Sequence, residues 1–261
     1  MSEPVVFNIR GVSIGEGVPK ICVPVMGAEK AAVLESLRTA LAVQPDILEW
    51  RIDYLTDCTP EAVAALLQDV RAAAGEKPLL VTFRTKYEGG RQSISGLDYA
   101  KLLAAVINTG FADLLDMEWA MFARAPQVGE VRLLAQQKGI PVIYSYHNFN
   151  ETPSREELLK KLRFMVLRGC EIPKIAVMPR TPEDVLTLLS ATAEMKRHHP
   201  GPIISMSMGQ LGMISRLCGE SFGSAITFGS AQAASAPGQV PAQQLRQVLA
   251  LLHNGAENGG N

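Results

Sequence analysis

The chain has 261 residues, enough to bury a large core, and α/β barrels of about 250 residues routinely form one domain. Hydrophobic residues make up 47% and charged residues 20%, an ordinary balance for a soluble globular protein. With 25 Lys and Arg against 26 Asp and Glu the formal net charge is −1, which excludes a bulk field drawing the chain to nucleic acid or an anionic membrane.

Along the chain, short apolar runs rich in β-formers alternate with longer segments of helical period. Residues 5–14, with Gly11 near the middle, predict a hairpin; the whole 1–18 segment is then a cap on one end of the fold. Strands are predicted at 20–26, 46–51, 79–84, 113–118, 141–146, 173–178, 202–208 and 225–228. Between them, i, i+3, i+4 apolar spacing predicts helices at 29–42, 60–74, 97–108, 125–138, 154–168, 182–198 and 241–252, with a shorter one around 210–218. Thr59-Pro60-Glu61, Ser154 with Glu157, and Thr181-Pro182-Glu183 are helix start signals. Eight βα units predict a (β/α)8 TIM barrel with a short N-terminal β-hairpin, 1–261 being one domain. The alternative, a doubly wound open sheet, lacks its dinucleotide fingerprint, because Gly15-Glu16-Gly17 is followed by no third glycine opening a helix. Residues 254–261, rich in Gly and Asn, predict an unstructured tail.

The four cysteines, Cys22, Cys58, Cys170 and Cys218, form no C-x-x-C pair, and MSEPVVFNIR lacks the basic and apolar stretches of a secretory signal. Both features point to free thiols in a cytoplasmic protein. Residues 221–245 are uncharged but too rich in Gly, Ser, Gln and Pro for a membrane span.

In a parallel barrel, chemistry sits at the C-terminal ends of the strands. Here Glu49 and Arg51 share one face of the second strand, Arg84 ends the third with Glu88 in the loop beyond, Asp116 and Glu118 end the fourth, and His147 ends the fifth. One such group reads as a solvated ion pair; four successive strands ending this way point to a site. Lys174 is the sharpest signal. It interrupts the apolar run Ile172-Pro173-Lys174-Ile175-Ala176-Val177, and period two turns it inward if Ile175 and Val177 face the helices. A charged amine is costly to bury there, and the neutral form is the one that attacks carbonyls. His147 lies on the neighbouring strand, close enough to serve the same substrate as acid and base. Arg216 stands in a nearly charge-free region and suits a substrate carboxylate, while Met206 and Met208 share a strand face as core filler or pocket wall.

Two apparent motifs carry nothing. Gly219-Glu220-Ser221-Phe222-Gly223 has the G-x-S-x-G spacing but leaves a helix and enters a strand, the reverse of a nucleophile elbow. Four histidines without H-E-x-x-H give no metal site, so neither metal nor other cofactor is expected.

These residues resemble the type I 3-dehydroquinate dehydratases, the Schiff-base enzymes of the shikimate pathway. The resemblance rests on Ile47-Leu48-Glu49-Trp50-Arg51, Thr82-Phe83-Arg84 with Glu88-Gly89-Gly90, Tyr146-His147-Asn148-Phe149 and Ile172-Pro173-Lys174-Ile175-Ala176. Ser205-Met206-Ser207-Met208-Gly209, Ile214-Ser215-Arg216 and Ser235-Ala236-Pro237-Gly238-Gln239 extend it. It implies that Lys174 forms an imine with 3-dehydroquinate, that His147 moves protons and that Glu88 orients or tunes His147. It further implies that Arg216, Ser235 and Gln239 hold the carboxylate, the last two on a closing loop. Glu49, Arg51 and Arg84 would then bind ring hydroxyls, Met206, Met208 and Phe228 would form an apolar wall, and the protein would be a homodimer. Asn148 departs from the Asp of many members, and Pro24 from the Ser of some. A class I aldolase using the same lysine, and a carboxylate-binding barrel without turnover, remain as alternatives on the residues alone.

Overall fold

A computed structural model of the chain describes residues 3–231 and 238–258. Ser235 lies outside the described residues.

The first elements are β1 (Phe7–Ile9) and β2 (Val12–Ile14), paired antiparallel with Ile9 opposite Val12. Their two-residue link, Arg10-Gly11, has φ of 47° and 77°, the mirror-image turn whose twist suits a tight hairpin. Arg10 is held there by its Nε, which donates to Asp113 Oδ1 at 2.8 Å. Ile9 and Ile14 pack inward against Cys22, Ile47, Leu80, Leu114, Ile143, Ile172 and Ile226, so the hairpin plugs the N-terminal end of the barrel.

Among the described residues nine parallel strands follow: β3 (Lys20–Val25), β4 (Ile47–Arg51), β5 (Leu79–Thr82), β6 (Leu114–Glu118), β7 (Val142–Asn148), β8 (Ile172–Val177), β9 (Ile204–Ser207), β10 (Ile226–Ser230) and β11 (Val240–Pro241). Pairing runs in chain order from β3 to β9, and β10 pairs with β3. At the remaining seam β9 and β10 have no ladder between them; they meet at the bridge between Ile203 and Ser224, where Ala225 N–H donates to Ile203 O at 2.7 Å. That contact closes the expected (β/α)8 barrel. Above it, β11 adds to β10 at Gly229 and Ser230.

Among the described residues ten α-helices surround the strands: α1 (Lys30–Ala42), α2 (Pro60–Ala74), α3 (Gly96–Thr109), α4 (Trp119–Arg124), α5 (Gln127–Gln137), α6 (Arg155–Leu167), α7 (Pro182–His198), α8 (Ile214–Leu217), α9 (Gly219–Phe222) and α10 (Ala242–Asn258). Thr59 caps α2, and capping boxes at Ser154 and Thr181 start α6 and α7. Alternation sorts each strand. Trp50, Val81, Leu115 and Tyr144 pack outward against the helices, and Ile175 and Val177 do so against α6 and α7.

Three expectations change. α4 is an addition: it lies between β6 and the helix predicted at 125–138, which is observed as α5, and Pro126 separates the two because it has no N–H to continue α4. The helix predicted around 210–218 shrinks to α8, since Gly212 packs so close to the Ser207 backbone that a side chain would overlap it. α10 runs past the predicted end, so residues 254–258 of the expected tail are helical; a helix already anchored by buried Leu245 and Leu249 extends at little cost per residue.

Candidate active site

Lys174 enters the barrel from β8 with Ile172 and Ala176 on the same inward face. It is 3% exposed. Its Nζ lies 3.7 Å from Asp116 Oδ2 and 4.3 Å from the centre of the Phe228 ring. The cavity around it is lined by Glu49, Arg51, Arg84, Glu88, His147 and Arg216, with Met206, Met208, Phe228, Phe149 and Gln239 completing the wall.

His147 falls within β7 rather than after it, one strand from Lys174. Glu88 Oε2 sits 2.9 Å from its Nδ1 and accepts its backbone N–H at 3.1 Å. With Nδ1 engaged, Nε2 is the nitrogen left to meet a substrate. Burial, reinforced by the Arg84, Lys174 and Arg51 charges, holds the imidazole well below its usual range. Burial pushes the Glu88 carboxyl the other way, up to about 8, against the pull of Arg84. Phe149 lies nearly parallel to the imidazole, ring centres 6.4 Å apart, and rests on Gly89. Gly89 has φ +84°, and a β-carbon there would overlap the phenyl ring.

Arg84 is the hub of the carboxylates. Its Nη2 lies 2.9 Å from Asp116 Oδ1, and its Nη1 lies 3.2 Å from Glu118 Oε1 and 3.5 Å from Glu88 Oε2. Nη1 also donates to Ser145 Oγ at 2.8 Å. The buried cluster is tolerable because the Arg84 guanidinium is shared among the three carboxyl groups and each of them is hydrogen-bonded. Thr85 completes the cage, its N–H and hydroxyl both donating to Glu118 at 2.7 Å.

The opposite wall is held from β4. Glu49 Oε1 accepts from Thr82 Oγ1 at 2.9 Å, and Arg51 grips Asp53 through two hydrogen bonds of 2.7 and 2.8 Å. Arg216 comes from α8. Its Nη1 is 3.6 Å from Met206 Sδ, and burial lowers its guanidinium to about 10. Gln239 reaches the cavity from the segment before β11, where Gly238 (φ +74°) packs on the Gly209 backbone with no room for a side chain.

This arrangement can be set beside known proteins. A sequence profile of the type I 3-dehydroquinases matches residues 21–256. A 3-dehydroquinate dehydratase of Bacillus velezensis is 47% identical over 249 residues, covering 95% of this chain and 98% of the relative. The chain belongs to the type I 3-dehydroquinase family. A crystal structure of the Clostridium difficile type I 3-dehydroquinate dehydratase with covalently modified comenic acid superposes with a TM-score of 0.92 at 43% identity, covering 97% of this chain and 99% of that one. The Geobacillus kaustophilus 3-dehydroquinate dehydratase gives the same TM-score at 38% identity, with 99% of each chain covered.

As a type I 3-dehydroquinase the chain gathers around one cavity every expected site residue that is described: Lys174, His147, Glu88, Glu49, Arg51, Arg84, Met206, Met208, Arg216, Phe228 and Gln239. Four further residues shape this 3-dehydroquinase site: Asp116 and Glu118, read from sequence only as strand-end carboxylates without a specific role, and Ser145 and Thr82, which sequence reasoning missed. The signal was present. Thr82 shares its strand face with Arg84, Asp116 with Glu118, and Ser145 with His147, each two residues apart.

Proposed function

We propose that this chain dehydrates 3-dehydroquinate to 3-dehydroshikimate through an imine on Lys174. The observation that supports it best is the position of Lys174 Nζ inside the cavity, one strand from an imidazole whose Nδ1 is already engaged by Glu88.

Nζ bonds to the ring ketone carbon, and the carbonyl oxygen departs as water. The resulting iminium drains electrons from the adjacent C–H bond, and His147 Nε2 takes that proton. The enamine then expels the β-hydroxyl, which leaves as water with the proton held by His147. Hydrolysis frees Lys174 and leaves the conjugated enone, for a net loss of one water. A positioned acid and base of this kind contributes roughly 10²- to 10⁴-fold. Arg216, Gln239 and Ser235 hold the substrate carboxylate, Glu49, Arg51 and Arg84 face the ring hydroxyls, and Met206, Met208 and Phe228 cover the apolar side. The relative bearing covalently modified comenic acid supports a cavity of this family competent for covalent chemistry.

The same reading extends to a cytoplasmic homodimer. Free thiols at all four cysteines fit a reducing compartment, and sedimentation equilibrium tests the dimer by the mass it returns.

Borohydride added with 3-dehydroquinate should leave a reduced adduct on Lys174, found by peptide mass spectrometry, while untreated enzyme accumulates enone absorbance. Turnover without any Lys174 adduct would overturn the mechanism, and an aldehyde product would favour aldol cleavage.

A further inference from the structure

Asp116 is wholly buried at the end of β6, and its two oxygens are treated differently. Oδ1 accepts from Ser145 Oγ at 2.7 Å and from Arg84 Nη2 at 2.9 Å. Oδ2 is buried with no hydrogen-bond partner, and Lys174 Nζ lies 3.7 Å from it. A buried carboxylate oxygen left bare costs free energy unless something in the working cycle uses it. Ser145 and Arg84 lock the carboxylate's rotation, so the bare oxygen cannot swing away to find another donor.

We propose that Asp116 Oδ2 is the built-in counter-ion of the covalent intermediate, accepting the N–H of the iminium formed at Lys174. This rests on the imine reading above and gives it a second fixed partner besides His147. Charge and atoms support it. A neutral amine, a ketone and one proton combine to give an iminium and one water; the nitrogen ends with one hydrogen and one positive charge. The position that must balance that cation is the one beside Nζ. Among the described residues Asp116 is the one carboxylate within ion-pair distance of Lys174 Nζ, whereas Glu49 accepts from Thr82 instead. Arg51, Arg84 and Arg216 line the cavity with guanidinium groups that repel an iminium, and the Glu88 oxygen nearest His147 is engaged by that residue. The Phe228 face, 4.3 Å from Nζ on the other side, adds a weaker attraction of the same sign. Without Asp116 the imine loses its proton to its surroundings, and a neutral imine is a poor electron sink.

Asp116→Asn keeps shape and Oδ1 but removes the charge at Nζ. In single-turnover borohydride trapping, accumulation of the Lys174 adduct should slow about 10²-fold, the scale of losing one preorganised electrostatic group. Binding of quinate, the alcohol that cannot form an imine, should stay within about threefold of wild type, a change too small to matter beside that loss. Ser145→Ala, which weakens the hold on Oδ1 but leaves the charge, should slow trapping less than about tenfold. Adduct formation at the wild-type rate in Asp116→Asn would overturn the proposal. Equal losses in trapping and quinate binding, or in both variants, would also overturn it, by showing that Asp116 supports shape rather than charge. Failure of wild-type enzyme to trap would instead count against the imine.

Discussion

The Glu88–His147 pair sets a pH dependence that can be worked out from its surroundings. Burial pushes the Glu88 carboxyl up to about 8 despite Arg84 3.5 Å away, and the imidazole 2.9 Å from it is held well below its usual range. Below about pH 8 the Glu88 carboxyl keeps its proton, and facing Nδ1 at 2.9 Å it donates there and leaves the imidazole's own hydrogen on Nε2. While that proton is aboard, Nε2 carries a hydrogen and cannot accept another from substrate. Hence kcat/KM should rise with pH and level off above about 8; at pH 6 it should be about one-hundredth of the plateau. In Glu88→Gln the amide cannot hold the proton, and burial still depresses His147. The acid limb should move below 6.5, and the plateau should fall roughly 10- to 100-fold because the carboxylate no longer steadies the imidazolium. Initial rates of enone formation at low substrate, from pH 5.5 to 9.5, make the comparison. A variant that keeps the bend near 8 would refute the reasoning. Stability runs in the opposite sense. Glu88 ionises near 4.5 when unfolded and near 8 when folded, so it withdraws stability progressively as pH rises between those values. Glu88→Gln should therefore melt higher than wild type at pH 8 and lose that advantage at pH 4.

Three further variants test separate parts of the site. His147→Ala should still accumulate the borohydride-trapped adduct but release no enone; loss of the adduct would show that the imidazole is needed for imine formation itself. Arg216→Ala should raise KM by roughly 10- to 100-fold, the loss of a charge-assisted pair, whereas Glu49→Ala costs less; equal losses would place the carboxylate elsewhere. Gly89→Ala carries both a strained φ of +84° and a clash with Phe149, so denaturant unfolding should show a loss of about 1–3 kcal/mol. A stability change under a few tenths of a kcal/mol would mean that Phe149 moves aside freely.

The barrel was legible because its signals are local. Alternating apolar runs, Thr59, Ser154 and Thr181 at helix starts, and an inward lysine at position 174 each state their own geometry. Where the reading slipped, length or a neighbour decided. The six residues of α4 are too few to show a helical period, and close packing of Gly212 on Ser207 shortened the helix expected around 210–218. The residues that surround Arg84 were visible as polar interruptions at period two, but which carboxylate faces which cation depends on strand register. Leu80 opposite Leu114 and Ser145 opposite Lys174 set that register, and it is a property of the assembled sheet. For the same reason Asp116 gave no hint of its bare oxygen.

Between β9 and β10 the barrel is stitched by hydroxyls more than by backbone. Ser215 Oγ takes the place of a strand by accepting the Ser207 N–H at 2.8 Å, Ser224 Oγ does the same for Ser205 at 3.1 Å, and Thr227 Oγ1 donates to the Arg216 carbonyl at 3.1 Å. Above the Ile203–Ser224 bridge α8 fills the space between the two strands, so the cation that would meet the substrate acid arrives through the side of the staves rather than from their rims. On the proposed reading, recognition of the acid and electron withdrawal at the ketone would thereby be mounted on different parts. Exchanging the α8 insert can re-aim the grip toward another carboxylated ring while leaving the lysine, its counter-charge and the imidazole untouched on their own strands.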